Sequence, residues 1–335
     1  VEEVARIYGF ERIAAHPPRV AASFPQTEEK RSLHELRERM AAADYHEEIN
    51  FSFVEPQWEL DFAGNANPVR LLNPIVSQQS VMRSSLIGSL VANVRYNQAR
   101  KVERIRVFEV GRVFIRDESA GEGPLAVRGL RQPMRIGAAA YGPAVEEQWG
   151  IETRGVDFFD VKADVEALAA PLAARFERAE HPAFHPGRSA RVLIGTEPAG
   201  WLGELHPRWQ RKYELARPLV LFELDTRLLE DVRLPAFSAP SKFPPVVRDM
   251  ALIVDSGVPA QALLELMQAE KPAIVASVHL FDLYQGSGVP AGRKSLAFRV
   301  VMQDTERTLT DAEADAARDD LVRLLGAKFS ATLRK

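Results

Sequence analysis

The chain contains no cysteine. Disulfides, thiolate zinc sites and cysteine nucleophiles are therefore excluded. No apolar run approaches the roughly 20 residues a helix needs to span a bilayer. No basic start leads into an apolar stretch and a small-residue cleavage site. Charge of one sign is also lacking. Lys and Arg number 43 against 46 Asp and Glu, for a net charge of −3, so no global field draws the chain to phosphate. A cytoplasmic protein with no membrane contact is expected. What is present is globular stock, 46% hydrophobic and 27% charged. At 335 residues the chain exceeds one ordinary core, so two or three domains are expected.

The last hundred residues are the most informative. They carry Ser241-Lys242-Phe243-Pro244-Pro245-Val246-Val247-Arg248-Asp249, Leu280-Phe281-Asp282-Leu283-Tyr284-Gln285-Gly286, Lys294-Ser295-Leu296-Ala297-Phe298 and Arg307-Thr308-Leu309-Thr310-Asp311, with Leu333-Arg334 at the end. Strands are expected at residues 247–254, 274–284, 296–303 and 329–333. Pro259 opens a helix that Pro272 ends. Thr310 and Glu313 form a capping box for a second helix, whose apolar face is Ala317, Leu321, Leu324 and Leu325 and whose end is Gly326. The order is β-α-β-β-α-β, a sheet able to hold an unpaired nucleotide loop against aromatic side chains. From Pro240 onward about twelve basic residues meet about twelve acidic ones. RNA binding must then be directed by shape and bases, or be shared with a more basic partner.

Upstream, Val1, Val4 and Tyr8 share a helical face that Gly9 stops. A chain opening inside a helix reads as part of something longer. Thr27 is expected to cap a helix over 28–43, with Leu33, Leu36 and Met40 on one side. A strand is expected at 48–53, and Leu86, Leu90, Val91 and Val94 mark a second helix. A long strand over 104–115 turns Ile105 and Val107 to one face and Phe108 and Val110 to the other. More strands follow at 134–141, 190–194, 201–205 and 219–224, and Asp160 is expected to cap a helix through Ala170. Strands joined by hairpin-like loops favour an antiparallel sheet flanked by helices, hence an α+β class. The proline-bearing loop 233–240 suits a domain linker.

Further fragments are Asn73-Pro74, Met82-Arg83-Ser84-Ser85-Leu86, Phe108-Glu109-Val110-Gly111, Asp157-Phe158-Phe159-Asp160-Val161-Lys162, His185-Pro186-Gly187-Arg188-Ser189-Ala190 and Gly203-Glu204-Leu205-His206-Pro207. Together with the C-terminal ones, and in this order, the chain resembles the C-terminal half of the bacterial phenylalanyl-tRNA synthetase β subunit. Ala163 departs from the pattern, where glycine often follows the lysine. The resemblance implies three parts: residues 1–20 as the end of a B5 domain, 21–234 as a class II synthetase-like module without catalysis, and 235–335 as a ferredoxin-like anticodon-binding domain. It implies a tetramer of two α and two β subunits that binds tRNA(Phe), with ATP and phenylalanine handled by the α subunit and editing housed in an N-terminal half.

The residues have plainer readings too. Arg116-Asp117-Glu118 fits the arginine motif that holds ATP in class II synthetases, but no glycine-rich segment ending in arginine follows near 195–209. No catalytic residue is expected in this chain. Met82–Leu86 opens a helix, either as a subunit interface or as a cap with a solvent arginine. Glu109 suits a structural pair with a buried arginine. His181 and His185 are four apart, a metal spacing on a helix, but Pro182 and Pro186 favour a turn. Glu2 and Glu3 are either a solvated face or, as the resemblance implies, ligands of an Mg²⁺ ion completed by two aspartates upstream of Val1. The ion is expected to be absent without them.

Asp282 and Tyr284 lie two apart on one strand and so share a sheet face. The resemblance implies a GAA anticodon, and a carboxylate accepts from both N1–H and N2–H of guanine. Asp282 is expected to pair with that base while Tyr284 stacks. Lys242, Arg248, Arg293, Lys294 and Arg299 are candidate phosphate contacts, or else a solvated face. The competing function is a stand-alone RNA-binding protein of ferredoxin-like type. A third is an independent enzyme with a rebuilt ATP site.

Overall fold

The computed structural model describes residues 1–16, 30–123, 126–232, 236–237 and 239–334. The chain divides into two compact units, Val1–Pro235 and Ala236–Lys335.

The first unit opens with α1 (Glu2–Tyr8), which buries none of its side chains and ends at Gly9 with φ 97°. Helix α2 spans Leu33–Ala42 and starts later than the hydrophobic pattern suggested. Ser32, not Thr27, caps it, its hydroxyl accepting from the Glu35 N–H; Thr27 lies outside the described residues. Leu36 and Met40 are buried as expected. In place of one strand over 48–53 there are two short ones, β1 (His46–Glu47) and β2 (Phe53–Val54). Next come α3 (Pro56–Trp58), which widens into a π turn over Glu59–Ala63, β3 (Val81–Met82) and α4 (Ile87–Ala99). Strand β4 (Ile105–Arg112) stops short of β5 (Ile115–Arg116), so the long strand is broken at Val113 and Phe114. Then follow β6 (Leu130–Arg131), β7 (Met134–Tyr141), α5 (Phe158–Ala169), β8 (Ala174–Arg178), β9 (Phe184–Ile194), β10 (Glu197–Leu205), α6 (Pro207–Lys212), β11 (Leu219–Asp225) and α7 (Arg227–Glu230). Helix α5 is capped by Asp157, three residues before the expected Asp160, which instead closes the capping box by accepting from the Asp157 N–H.

Seven strands form one sheet in the order β1-β4-β7-β11-β10-β9-β8. All neighbours are antiparallel except β1 and β4, which run parallel. Because strand side chains alternate, each central strand feeds two cores. Ile105, Val107, Leu219 and Leu221 join α4 on one side. Phe108, Val110, Val220 and Phe222 join α2 and α5 on the other. The sheet is thus buried on both faces, which explains its near-continuous apolar runs.

The second unit comprises β12 (Val246–Asp255), α8 (Ala260–Glu270), β13 (Val275–Tyr284), β14 (Arg293–Met302), α9 (Asp311–Phe329) and β15 (Thr332–Leu333). This is the expected β-α-β-β-α-β order, in a sheet ordered β13-β14-β12-β15. The capping box at α9 is present: Thr310 Oγ1 accepts from Glu313 N–H, and the Glu313 carboxylate accepts from Thr310 N–H. Gly326 does not end the helix. It runs on to Phe329 and stops at Ser330, whose φ is 51°. Both helices cover one sheet face, through Met250, Leu252, Leu296, Phe298, Val300 and Leu321 among others. The other face carries no helix among the described residues of this unit.

Candidate nucleic-acid interface

Register fixes what that bare face displays. Leu296, Phe298, Val300 and Met302 of β14 point into the helical core. Their alternates Ser295, Ala297, Arg299 and Val301 point away. On β13, Tyr284 lies opposite Ser295, Asp282 opposite Ala297 and His279 opposite Arg299. Asp282 and Tyr284 therefore share the open face. The ladder slips between Leu280 and Asp282, leaving Phe281 as an extra, exposed residue. Such a bulge re-aims a side chain. Phe281 comes to lie under Arg299, whose guanidinium is 5.1 Å from the ring centroid.

Asp282 is exposed and its carboxylate has no partner among the described residues. Tyr284 is half-buried. Its hydroxyl donates to the Ser287 carbonyl at 3.2 Å, and the Arg334 guanidinium sits 4.6 Å from its ring centroid. The hydroxyl is this close to the chain because position 286 is glycine: a Cβ there would meet it at 2.6 Å. One acceptor without competition and one aromatic ring on the same face are what a splayed base needs.

The candidate cations are scattered. Arg299 is on the open face, but Asp249 holds it by two hydrogen bonds of 2.9 and 2.8 Å. Asp249 also keeps that arginine's pKa raised. Arg248 lies opposite Val300, on the helical side, and pairs with Asp315 and Asp311 of α9. Lys294 also has the helical parity and donates to the Ser256 carbonyl; burial lowers its pKa. Arg293 donates to the Ser330 carbonyl at the end of α9. Lys242 is exposed ahead of β12. Asp282, Tyr284 and Arg299 are brought together; Arg248 and Lys294 are not. Phe281, His279 and Arg334 join the face without having been singled out. Phe281 lies in the Leu280–Gly286 segment, and the bulge turns it to account.

Glu2 and Glu3 start α1, exposed, with Glu3 paired to Arg6. A hard divalent cation wants six or more oxygens. No group of three or more acidic or histidine side chains is placed to hold a metal ion among the described residues. These two glutamates do not by themselves fit a magnesium site.

In the first unit the arginine of Met82–Leu86 is not in solvent. Arg83 is buried against Glu109, the structural pair expected of that glutamate, with Nη1 2.7 Å from Oε1. The N–H is out of line with the oxygen, so the contact is charge attraction rather than an aligned hydrogen bond. His181 begins a turn, as the prolines implied, with its ring against Trp201 and Phe184. Burial lowers its pKa to about 4. The unfolded chain gains a proton below pH 6.5 that the folded chain refuses until about 4. Stability should thus fall with pH in that window, by roughly 2 kcal/mol between pH 7.5 and 5. Urea unfolding of wild type and His181→Gln at both values checks this. An equal loss in the variant would show that the imidazole is not the group responsible.

A family model described as phenylalanyl tRNA synthetase beta chain CLM domain matches residues 13–226. A second, described as ferredoxin-fold anticodon binding domain, matches residues 241–334. The whole chain aligns with the phenylalanine–tRNA ligase beta subunits of Burkholderia pseudomallei (strain 1710b) at 54% identity and Ralstonia nicotianae at 52%, covering 42% of each. Dechloromonas aromatica has a similar protein at 47% identity, also covered to 42%. Among solved structures, a pyrrolysyl tRNA synthetase from Desulfitobacterium hafniense superimposes with a TM-score of 0.42 at 13% identity, over 61% of this chain and 67% of that one. The architecture is a seven-stranded sheet flanked by helices on both faces, followed in the chain by a four-stranded sheet with two helices on one face. The chain belongs to the phenylalanyl-tRNA synthetase beta chain family. It spans about two fifths of the length of the curated relatives it matches.

Proposed function

We propose that this chain is the tRNA-gripping and scaffolding portion of the β subunit of a phenylalanine–tRNA ligase. A catalytic α subunit uses ATP, in a tetramer of two α and two β chains in the cytoplasm. The parts are residues 1–20, 21–234 and 235–335, as the sequence reading divides them. The observation that carries the proposal is the shared open face of Asp282 and Tyr284. A guanine of the anticodon donates N1–H and N2–H to the Asp282 carboxylate, and a base stacks near Tyr284, an interaction worth roughly 1–3 kcal/mol. With Arg299 tied to Asp249, affinity rests on bases more than on phosphates.

The scaffold role has its own support in the first unit. Ile49, Phe51, Leu72 and Ile75 are 92%, 66%, 98% and 82% exposed. The segments that bear them are joined through β2 and β3, since Arg83 N–H donates to the Ser52 carbonyl and Met82 N–H to the Val69 carbonyl. Large apolar side chains left in water on segments so linked suit a protein partner.

The test uses a stem-loop with a GAA anticodon. Asp282→Ala should weaken binding by roughly 1–3 kcal/mol and erase the preference for guanine over adenine. Its melting temperature should not move, because the carboxylate supports nothing in the fold. Equal affinity of wild type and variant for the GAA loop would end the assignment. Co-expression with an α subunit, scored for tetramer assembly and phenylalanylation beside a full-length β chain, tests the scaffold.

A further inference from the structure

The sheet of the second unit has two edges, β13 and β15. Strand β15 is two residues long, too short an edge to recruit another strand. Strand β13 runs for ten residues and pairs only with β14 among the described residues. Its outer side presents main-chain N–H and C=O groups with no strand to meet them. Open edges are commonly guarded by Lys or Pro. β13 has no Lys, Arg or Pro, and its Leu280, Phe281 and Leu283 are exposed. Such an edge adds a strand from another chain.

The bulge narrows which strand fits. A straight strand meets β13 as β14 does, with the ladder slipping between Leu280 and Asp282 and Phe281 left over. A second β13 carries the same extra residue. Two copies centred between Leu280 and Phe281 therefore pair antiparallel, residue for residue, from Ser277 to Tyr284. Every flanking pair in that register lies on one face. Val278 and Leu283 lie opposite the core residues Val300 and Leu296, so both have the helical parity. Ser277, His279, Asp282 and Tyr284 have the open one. His279 then comes opposite Asp282 of the second copy, and Asp282 opposite its His279, as a two-fold axis requires. The chemistry agrees. His279 Nε2 is engaged with Ser277 Oγ, which leaves Nδ1 for the carboxylate. On the helical side Leu283 of the second copy comes beside Val278. There, a cavity of about 460 Å³ is lined by Val278 and by Leu264 and Ala269 of α8. We propose that β13 is the docking edge for β13 of a second copy of this chain, giving a continuous eight-stranded sheet. One consequence rests on the role proposed above for Asp282: guanine and His279 of the second copy compete for one carboxylate, so RNA binding and pairing exclude each other.

Sedimentation velocity on the 335-residue chain, with no RNA or other protein present, tests the pairing apart from that role. One strand pair falls below the roughly 1,200 Å² of a standard interface, so a dimer with a Kd on the order of 10–100 μM is expected. Leu283→Lys places a charge at the cavity wall and should weaken association at least about tenfold. Its melting temperature should hold, because the side chain it replaces is exposed. His279→Asp sets carboxylates against each other across the axis and should weaken association as much. Adding Asp282→His exchanges the partners and should bring the Kd back to within about threefold of wild type. A chain still monomeric at about 500 μM would overturn the proposal. So would a dimer indifferent to Leu283→Lys, which would be made elsewhere, or an exchanged pair that melts like wild type without restoring association. A GAA stem-loop should return the dimer to monomer; a dimer that survives saturating loop would overturn the exclusion alone.

Discussion

Arg83→Met is expected to cost the first unit about 3–5 kcal/mol, because it strands a buried carboxylate. Arg83 is the largest fully buried side chain in the protein's described residues, and Glu109 is 3% exposed. The arginine also donates from Nε to the Arg112 carbonyl at 3.1 Å. Its backbone links two segments, with its N–H on Ser52 and its carbonyl on Phe114. In the variant Glu109 keeps only the Asn50 amide, 2.9 Å from Oε2. A charge in that setting must protonate or draw water in. Removing both charges together, as Arg83→Met with Glu109→Leu, should recover most of the loss, because the desolvation cost disappears with the pair. Gly111→Ala should act on the same pair from outside: its Cβ would meet Arg83 Nη2 at 2.3 Å. Urea midpoints of the single and double variants are the measurement. A loss below about 1 kcal/mol for Arg83→Met would place the pair with weak surface bridges.

Much of this fold could be read from pattern. The face assignment of Ile105 and Val107 against Phe108 and Val110 follows from period two, and the two cores divide along it. The capping box at Thr310 follows from side-chain chemistry four residues long. What pattern missed has physical causes. Residues 48–53 look like a strand, but the chain there leaves one pairing and enters another, which only tertiary contacts decide. Asp160 and Asp157 are equally good caps by type, and the helix takes the one that also leaves Asp160 free to accept Asp157 N–H. Gly326 is helical because the apolar face continues to Phe329, and packing outweighs its propensity. For the site, the shared face of Asp282 and Tyr284 needed only spacing. Pairing of Arg248 with α9, and of Arg299 with Asp249, needed the third dimension. Charge partners far apart in sequence leave no local signal.

Phe298→Ala should separate holding the platform in shape from recognising RNA on it. The ring is fully buried beneath the centre of β14, with Met250 and Leu280 as its cross-strand neighbours. Emptying that position costs about 3–5 kcal/mol. A unit of this size has only about 5–15 kcal/mol to lose, so the second unit should unfold far earlier. All four tryptophans, Trp58, Trp149, Trp201 and Trp209, belong to the first unit. Tryptophan emission therefore follows the first unit while far-UV circular dichroism follows both units. The variant should show an early dichroism transition with emission unchanged, and its affinity for the GAA loop should fall with the folded fraction. Asp282→Ala should do the reverse: weak binding, with an unaltered melting curve. The contrast rests on geometry, since Phe298 and Asp282 act on opposite faces of the same two strands. If Phe298→Ala kept the wild-type dichroism curve, the helices would not be anchored through that ring. If it instead moved emission and dichroism together, the two units would be melting as one.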